Sequence, residues 1–240
     1  KRVFHMGPLI INCDLGENEP VDRTEELLRM VAAANICCGV HAGSPARTRD
    51  AMKRAAARGV RVGAHPGLPS AGGRGDAVPD AGRFHTLVGE QLENFRRWAN
   101  ELGLRPHHVK LHGTLYHAVE TDPDFADAYL ELLDRHPRLA VFCRAGGSFA
   151  PKAKAAGHIV FREIFADRGY TAAGTLVPRG QPGALIEDPD SAVARLAQWA
   201  VSGEMPTVDG PAVPLEAETV CIHADSSGAS AVVAAVSGLF

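Results

Sequence analysis

The sequence lacks the glycine-rich loops by which most nucleotide-binding enzymes are recognised. It contains no Gly-x-x-x-x-Gly-Lys-Ser/Thr segment, no Gly-x-Gly-x-x-Gly after its first apolar run, and no Gly-x-Ser-x-Gly elbow. A standard phosphate loop, a dinucleotide-binding fold and the serine nucleophile of the α/β-hydrolases are therefore unsupported.

Cysteine, charge and long apolar runs are also scarce. The five cysteines are odd in number and lie mostly in apolar segments, which is typical of buried, reduced thiols. The net charge of -3 gives no reason to expect nucleic acid or an anionic membrane as a partner. No run of 18 apolar residues exists, and residues 1–6 lack the apolar stretch of a signal peptide. We therefore expect a cytoplasmic protein.

What the chain does contain is a regular alternation of short apolar strands and amphipathic helices. The predicted strands are Leu9–Cys13, Ala34–Gly39, Val60–Ala64, His108–His112, Leu139–Cys143, His158–Phe161 and Glu218–His223. The predicted helices are Asp22–Ala33, Pro45–Arg58, Asp80–Leu102, Asp122–Arg135, Phe149–Ala156 and Pro189–Val201, with a last Ala/Val helix near the end. Such alternation implies a parallel sheet with right-handed crossovers. We predict an α/β fold, a seven-stranded parallel β/α barrel of the incomplete TIM type, forming a single domain over residues 1–240.

Polar residues follow most of these strands at the point where each strand ends. They are Asp14 and Glu17 after strand one, His41 after strand two, His65 after strand three, Lys110 and His112 at strand four, Glu163 after strand six, and His223 and Asp225 after strand seven. Because a barrel collects the carboxyl ends of its strands on one rim, we expect these groups to surround one pocket. Carboxylates, imidazoles and a lysine suit proton transfer and oxyanion stabilisation, or the binding of a divalent metal.

Four other features carry separate predictions. Lys110 lies in an apolar strand, and a lysine is almost never fully buried without a partner, which favours a pocket role. His107 and His108 open the same strand at its opposite end and are predicted to be surface residues. Arg168 and Arg179 lie in the long Gly/Pro-rich stretch 163–186, where they would clamp a carboxylate or phosphate or simply be solvated. The glycines of the loop 72–75 offer a weaker anion cradle.

These signatures, taken in order, resemble those of the LamB/YcsF family. The matching stretches run through nearly the whole chain and are Asn12–Glu17, Ala34–Gly43, Gly63–Gly67, Val109–Tyr116, Glu163–Tyr170, Gly174–Arg179 and Pro182–Ile186. The family's fold, a seven-stranded β/α barrel shared with some glycosidases and deacetylases, agrees with the seven units counted above.

The resemblance implies an activity, because characterised members of that family are the A subunit of prokaryotic ATP-dependent 5-oxoprolinase. The implied reaction converts 5-oxo-L-proline, ATP and water into L-glutamate, ADP and phosphate. ATP would be a co-substrate, and the partner subunits B and C would supply much of the ATP-dependent step. A homo-oligomer is a further possibility that the sequence leaves open.

Within that interpretation, Asp14 is expected to be the general base or to position water. Lys110 and His112 would stabilise the oxyanion or the phosphorylated intermediate, and Glu163 would orient one of them. The expected substrate contacts are Glu17, Asn35, His41, His65, Tyr116, Arg168, Arg179, His223 and Asp225. Two alternatives stay open at this point: a metal-dependent amidohydrolase or deacetylase that needs no ATP, with Asp14, His41 and His65 as ligands, and a non-catalytic substrate-binding subunit.

Overall fold

Seven parallel strands close into a barrel, as the alternation of strands and helices predicted. A computed structural model describes residues 9–69, 79–224 and 228–239. In chain order the elements are β1 Ile10–Leu15, α1 Val21–Leu27, β2 Ala33–Cys37, α2 Pro45–Ala57, β3 Arg61–His65, α3 Ala81–Glu101, β4 His108–Val109, α4 Gly113–Thr121, α5 Pro123–Asp134, β5 Ala140–Arg144, α6 Phe149–Ala155, β6 Val160–Phe165, α7 Pro189–Ser202, β7 Glu204–Met205, β8 Val213–Pro214, β9 Thr219–Ile222 and α8 Ala229–Ser237. The barrel order is β1-β2-β3-β4-β5-β6-β9, so β9 closes the sheet between β6 and β1.

The helices begin where the sequence supplies a capping side chain. Ser44, Asp80, Asp122 and Asp188 each accept a hydrogen bond from a backbone N–H in the first turn of the helix that follows. A proline opens α2, α5 and α7, where its missing N–H costs nothing. These local signals explain why the helix starts were predicted to within a residue or two.

Strand ends differ from the prediction in ways that affect the site. β1 continues to Leu15 and β6 to Phe165, so that Asp14 and Glu163 lie inside strands rather than after them. β4 has only two residues, and α4, which the sequence did not reveal, starts at Gly113. The segment between β4 and α4 still follows β3, because Lys110 N–H donates to the Ala64 carbonyl at 2.9 Å and His112 N–H to the Pro66 carbonyl at 2.8 Å.

The prediction that His108 is a surface residue is wrong. Its side chain points into the barrel, is fully buried, and stacks on Phe142 with ring centroids 3.9 Å apart. Space for the ring exists because Gly63, its neighbour on β3, has no side chain: a Cβ there would lie 2.1 Å from His108 Nε2. His107 is half-buried. A histidine in a short strand carries no sequence signal for which face it occupies.

The barrel interior is polar. Asn12 donates through its amide nitrogen to Glu163 Oε1 at 2.9 Å and to Thr219 Oγ1 at 2.7 Å. Asn35 donates to Asn12 Oδ1 at 2.7 Å, and the Nε2 atom of His108 lies 2.7 Å from Asn35 Oδ1. These fully buried groups satisfy one another, which is the condition under which polar side chains are tolerated in a core. The network forms a rigid polar floor for the carboxyl end of the barrel.

Some predictions fall on residues that the structure does not describe. Asp225 and the glycine-rich segment 72–75 lie outside the described residues. Within the described part of the chain, no helix is both long and apolar enough to cross a membrane.

Candidate functional site

A cavity of about 450 Å³ opens at the carboxyl ends of the barrel strands. Eight of the predicted site residues line it: Asp14, His65, Lys110, His112, Tyr116, Arg168, Arg179 and His223. Glu17, Asn35, His41 and Glu163 are not among the residues that line this cavity, but they contact residues that do. The volume suits a small molecule rather than a polymer.

Lys110 forms an ion pair with two carboxylates at the bottom of the cavity. Lys110 Nζ lies 3.0 Å from Asp14 Oδ1 and 3.4 Å from Glu163 Oε1, and it also donates to Cys221 Sγ at 2.9 Å. Burial alone would lower the pKa of Lys110, but the two carboxylates raise it well above its usual range. The lysine is therefore held in its charged form, and it lines the pocket although β4 ends one residue before it.

Asp14 is held in place from three sides. Besides the contact with Lys110, Asn35 donates its amide hydrogen to Asp14 Oδ1 at 2.7 Å, and Oδ2 lies 3.3 Å from His65 Nε2. Burial alone would raise the pKa of Asp14, but His65 and Lys110 lower it well below its usual range. The carboxylate stays ionised, and one of its oxygens is already used by two donors.

Glu163 lies one layer deeper. It is fully buried, accepts hydrogen bonds from Asn12 at Oε1 and from the Tyr116 hydroxyl at Oε2 (3.0 Å), and approaches Lys110. Burial raises its pKa. These contacts fix the positions of Lys110 Nζ and the Tyr116 hydroxyl beneath the cavity, and the role of Glu163 in orienting Lys110 or His112 stays a prediction.

Three imidazoles form a cluster at one side of the cavity. His65 Nδ1 lies 2.8 Å from the Lys110 carbonyl oxygen and its Nε2 lies 2.9 Å from His112 Nδ1. His41 stacks on His112 with centroids 3.9 Å apart, and a Cβ at Gly67 would lie 2.4 Å from His41 Nδ1. The close approach of this backbone to the ring requires glycine at position 67.

Glu17 ties the cluster to the loop after β1. Its Oε1 lies 3.0 Å from His41 Nε2 and 3.5 Å from His112 Nδ1. Burial alone would raise the pKa of Glu17, but the hydrogen bond from His41 and the charge of His112 lower it to about 2. Burial alone would lower the pKa of His41, but its contacts with Cys37 and Glu17 raise it to about 9. The pair is thus a buried ion pair at neutral pH.

The same cluster offers several possible metal ligands. One ligand atom from each of Glu17, His41, His65 and His112 lies within 4.8 Å of all the others, and Asp14 is not part of that group. However, the rings of His41 and His112 are parallel to within 8° and stacked. Since a histidine coordinates through a lone pair in its ring plane, two stacked rings do not direct both lone pairs to one ion. The stacking therefore disfavours a single ion shared by all four residues, whereas the metal-binding role of Asp14, His41 and His65 stays a prediction, since Asp14 belongs instead to a second group with Cys221 and His223.

The long loop after β6 covers the cavity from the other side. Arg168 is buried and donates to the backbone carbonyls of Ala184 (2.9 Å) and Val177 (2.7 Å), so it holds the loop closed as well as lining the cavity. Arg179 and His117 line the same wall. Burial lowers the pKa of His117, and the charges of Arg168 and Arg144 lower it further. This wall is electropositive and suits an anionic group of a ligand.

Sequence reasoning missed Asp167. This buried carboxylate accepts a hydrogen bond from the backbone N–H of His223 at 2.9 Å, and its two oxygens lie 2.9 and 3.1 Å from His223 Nδ1. The signal that could have found it is weak: an aspartate two residues past the end of β6. Its partner lies 56 residues away, and only barrel closure brings the two together.

Barrel, polar floor and imidazole cluster together define a β/α-barrel protein with a pocket of carboxylates, imidazoles and a lysine at its carboxyl rim. The model of the LamB/YcsF family matches residues 9–239, so the chain belongs to this family.

The solved structures that this chain resembles are of two kinds, one related to it in sequence and the others alike in fold alone. A lactam utilization protein from Thermus thermophilus is 33% identical, with a TM-score of 0.86 over 97% of each chain. A family 4 carbohydrate esterase from Streptomyces lividans is 8% identical, with a TM-score of 0.51 over 97% of this chain and 86% of that one. An uncharacterized protein from Agrobacterium tumefaciens is 12% identical, with a TM-score of 0.55 over 96% of this chain and 80% of that one. The last two likenesses concern the fold alone.

Proposed function

We propose that this chain is the lactam-binding and lactam-opening subunit of an ATP-dependent 5-oxoprolinase that acts with two partner subunits in the cytoplasm. The observation that carries the proposal is the Asp14–Lys110 pair at the floor of a small-molecule cavity. Membership in the LamB/YcsF family and the likeness to a lactam utilization protein over 97% of the chain support it. If the chain only bound substrate, the buried Asp14–Lys110 pair would take no part in the reaction.

The two walls of the cavity fit the two ends of a carboxylated lactam. Arg179 and Arg168 on the loop wall would attract the carboxylate of 5-oxoproline, since guanidinium groups pair with carboxylates. The amide would then face Lys110, whose ammonium group would donate to the lactam oxygen and, once that oxygen carries the phosphoryl group, pair with the negative charge of the phosphorylated intermediate. His112 and Tyr116 line the same cavity and would hold the ring.

We propose that ATP is a co-substrate of the lactam-opening reaction. An unstrained five-membered lactam resists hydrolysis, and transfer of a phosphoryl group to its oxygen makes the ring carbon electrophilic. Attack of water and cleavage of the C–N bond then leave an acyl phosphate, which a second water hydrolyses to glutamate and phosphate. The sequence has no standard phosphate-binding loop, which supports a division of labour in which the partner subunits bind most of the nucleotide.

The test is a glutamate-release assay on 5-oxo-L-proline in which ATP and each partner subunit are omitted in turn. The proposal predicts release only when all are present. Metal analysis of the purified chain distinguishes the metal-dependent alternative: ATP-independent release that requires a bound transition metal would replace the proposal with that alternative.

A further inference from the structure

The contact between His223 and Asp167 fixes which nitrogen of the imidazole carries the proton. Both carboxylate oxygens of Asp167 lie within 3.1 Å of Nδ1, and Oδ2 also accepts the backbone N–H of His223. Burial alone would raise the pKa of Asp167, but its contacts with His223 lower it, so the carboxylate is ionised and only accepts. Nδ1 therefore donates, and in the neutral ring Nε2 carries the lone pair.

The ring is also fixed in direction. It lies nearly parallel to the ring of Phe165, with a 12° angle between planes and centroids 5.5 Å apart, and it lines the cavity. Since the Nδ1 edge faces Asp167, the Nε2 edge is left for the cavity. A nitrogen of His223 and an oxygen of Asp14 lie within 4.8 Å of each other, which places the ring beside the floor of the pocket.

Asp14 is poorly suited to take a proton. Lys110 and Asn35 already donate to its Oδ1 atom, and His65 lies at Oδ2. A carboxylate held by three partners is stabilised in its charged form and gains little from protonation. The imidazole of His223, in contrast, lines the cavity with the edge that carries the Nε2 lone pair, where it can accept a proton from water.

We propose that His223 is the general base of the lactam-opening step and that Asp167 is its positioning residue. The proposal rests on the proposed function for the identity of the reaction. In this proposal Asp14 keeps Lys110 charged and helps to hold water. His223 accepts the proton of the attacking water and later returns it.

The oxygen of a water molecule forms a bond to the ring carbon of the O-phosphorylated lactam while one of its protons passes to Nε2 of His223, which becomes an imidazolium stabilised by Asp167. The carbon–nitrogen bond of the ring then breaks as the carbonyl forms, the imidazolium returns its proton to the departing nitrogen, and that nitrogen also takes up the proton of the former hydroxyl group. The product of the step is the open-chain acyl phosphate, with the phosphoryl group still on the original lactam oxygen. His223 ends in its starting state, and no oxidant or reductant is needed.

The first test measures kcat and KM for 5-oxoproline in the complete complex with ATP. His223→Gln should lower kcat by about 100-fold or more, the usual contribution of a general base, with little change in KM. Asp167→Asn should lower kcat and change the acidic limb of its pH profile, because an amide no longer selects the Nδ1–H tautomer. His85→Asn, on the outer helix α3, is the matched control and should leave both constants unchanged.

The second test reads the tautomer itself and needs no activity. Nitrogen-15 spectra of the histidine side chains in the full chain, with His223 assigned by its loss in His223→Gln, should show the Nδ1–H form in the wild type. Asp167→Asn should shift His223 away from that form.

The possible failures are distinguishable. A wild-type complex that releases no glutamate would overturn the proposed function, whereas an active complex in which His223→Gln keeps its kcat would overturn only the base assignment. An Nε2–H tautomer of His223 in the wild type would overturn the assignment whatever the kinetics of the variants.

Discussion

At the scale of single residues, the proposed activity depends on Lys110 and the carboxylates that surround it. Lys110 is buried and forms ion pairs with both Asp14 and Glu163. The sequence indicated this role, because a lysine between two apolar strand residues needs a polar partner. It could not indicate which partner, since Asp14 lies 96 positions away in the chain. That pairing follows only from barrel closure.

Replacement of Asp14 by asparagine tests the charge at the floor of the site. Asparagine keeps the shape and one acceptor but removes the negative charge, so we expect kcat for 5-oxoproline to fall by about two orders of magnitude or more. The fold should persist, as judged by circular dichroism. Undiminished glutamate release by the variant complex would remove Asp14 from the mechanism.

Replacement of Lys110 by methionine tests the cost of an uncompensated buried charge. Removing one partner of a buried pair typically lowers the free energy of unfolding by about 3–5 kcal/mol. Lys53→Met, an exposed lysine on α2, is the matched control and should change it by less than about 0.5 kcal/mol. Urea denaturation measures both. Equal stability of the two variants would mean that Lys110 is not the cation on which Asp14 and Glu163 depend.

At the scale of elements, the loop between β6 and α7 decides the shape of the cavity. Two isolated bridges, Arg168 with Leu185 and Tyr170 with Leu176, fold it back on itself. The sequence showed only a long Gly/Pro-rich stretch without periodicity, because its order comes from Arg168 and from backbone contacts between distant positions. Helix starts, in contrast, were predictable from local caps.

Gly169→Ala tests whether this loop shapes the substrate site. A Cβ at position 169 would lie 1.9 Å from the Gly183 carbonyl oxygen, which belongs to the backbone and has no flexible side chain to move aside. We expect the loop to open and KM for 5-oxoproline to rise by about tenfold or more, which corresponds to about 1.4 kcal/mol of binding.

The matched control is Gly238→Ala near the end of α8. A Cβ there would be 3.5 Å from its nearest neighbour, and the backbone has a φ of -78°, which alanine adopts freely. This variant should behave as the wild type. A wild-type KM for Gly169→Ala would show that the loop does not shape the substrate site.

At the scale of the whole molecule, the barrel and its order of strands were predictable, and the polar interior was not. Alternating strands and helices admit few closed topologies, so seven units in sequence order were enough. Which residues of a short strand point inward is set by register, and a two-residue strand such as β4 gives no period to measure. For that reason His108 was placed on the surface, and Asn12 was not recognised as part of the floor.

The Glu17–His41 pair makes the stability of the whole fold depend on pH. Because folding raises the pKa of His41 from 6.5 to about 9, its contribution is fully present below pH 6.5 and is lost as the pH rises towards 9. Because folding lowers the pKa of Glu17 from 4.5 to about 2, its contribution is present above pH 4.5 and is lost as the pH falls towards 2. Urea denaturation from pH 5 to 9 should show the alkaline loss.

Glu17→Gln provides the comparison. Without the carboxylate, part of the decline between pH 6.5 and 9 should disappear, because Cys37 also raises the pKa of His41, while the stability near pH 5 to 6 should be lower than that of the wild type. If the free energy of unfolding changed with pH in the same way in both proteins, the Glu17–His41 pair would not be the source of the pH dependence.

The most direct test of the central claim is a coupled measurement of glutamate and ADP from 5-oxo-L-proline by this chain with its two partner subunits. The account predicts that the two products form in equal amounts, and that omission of ATP or of this chain stops both. Glutamate formed without ATP, glutamate formed without this chain, or ADP formed without glutamate would each contradict it.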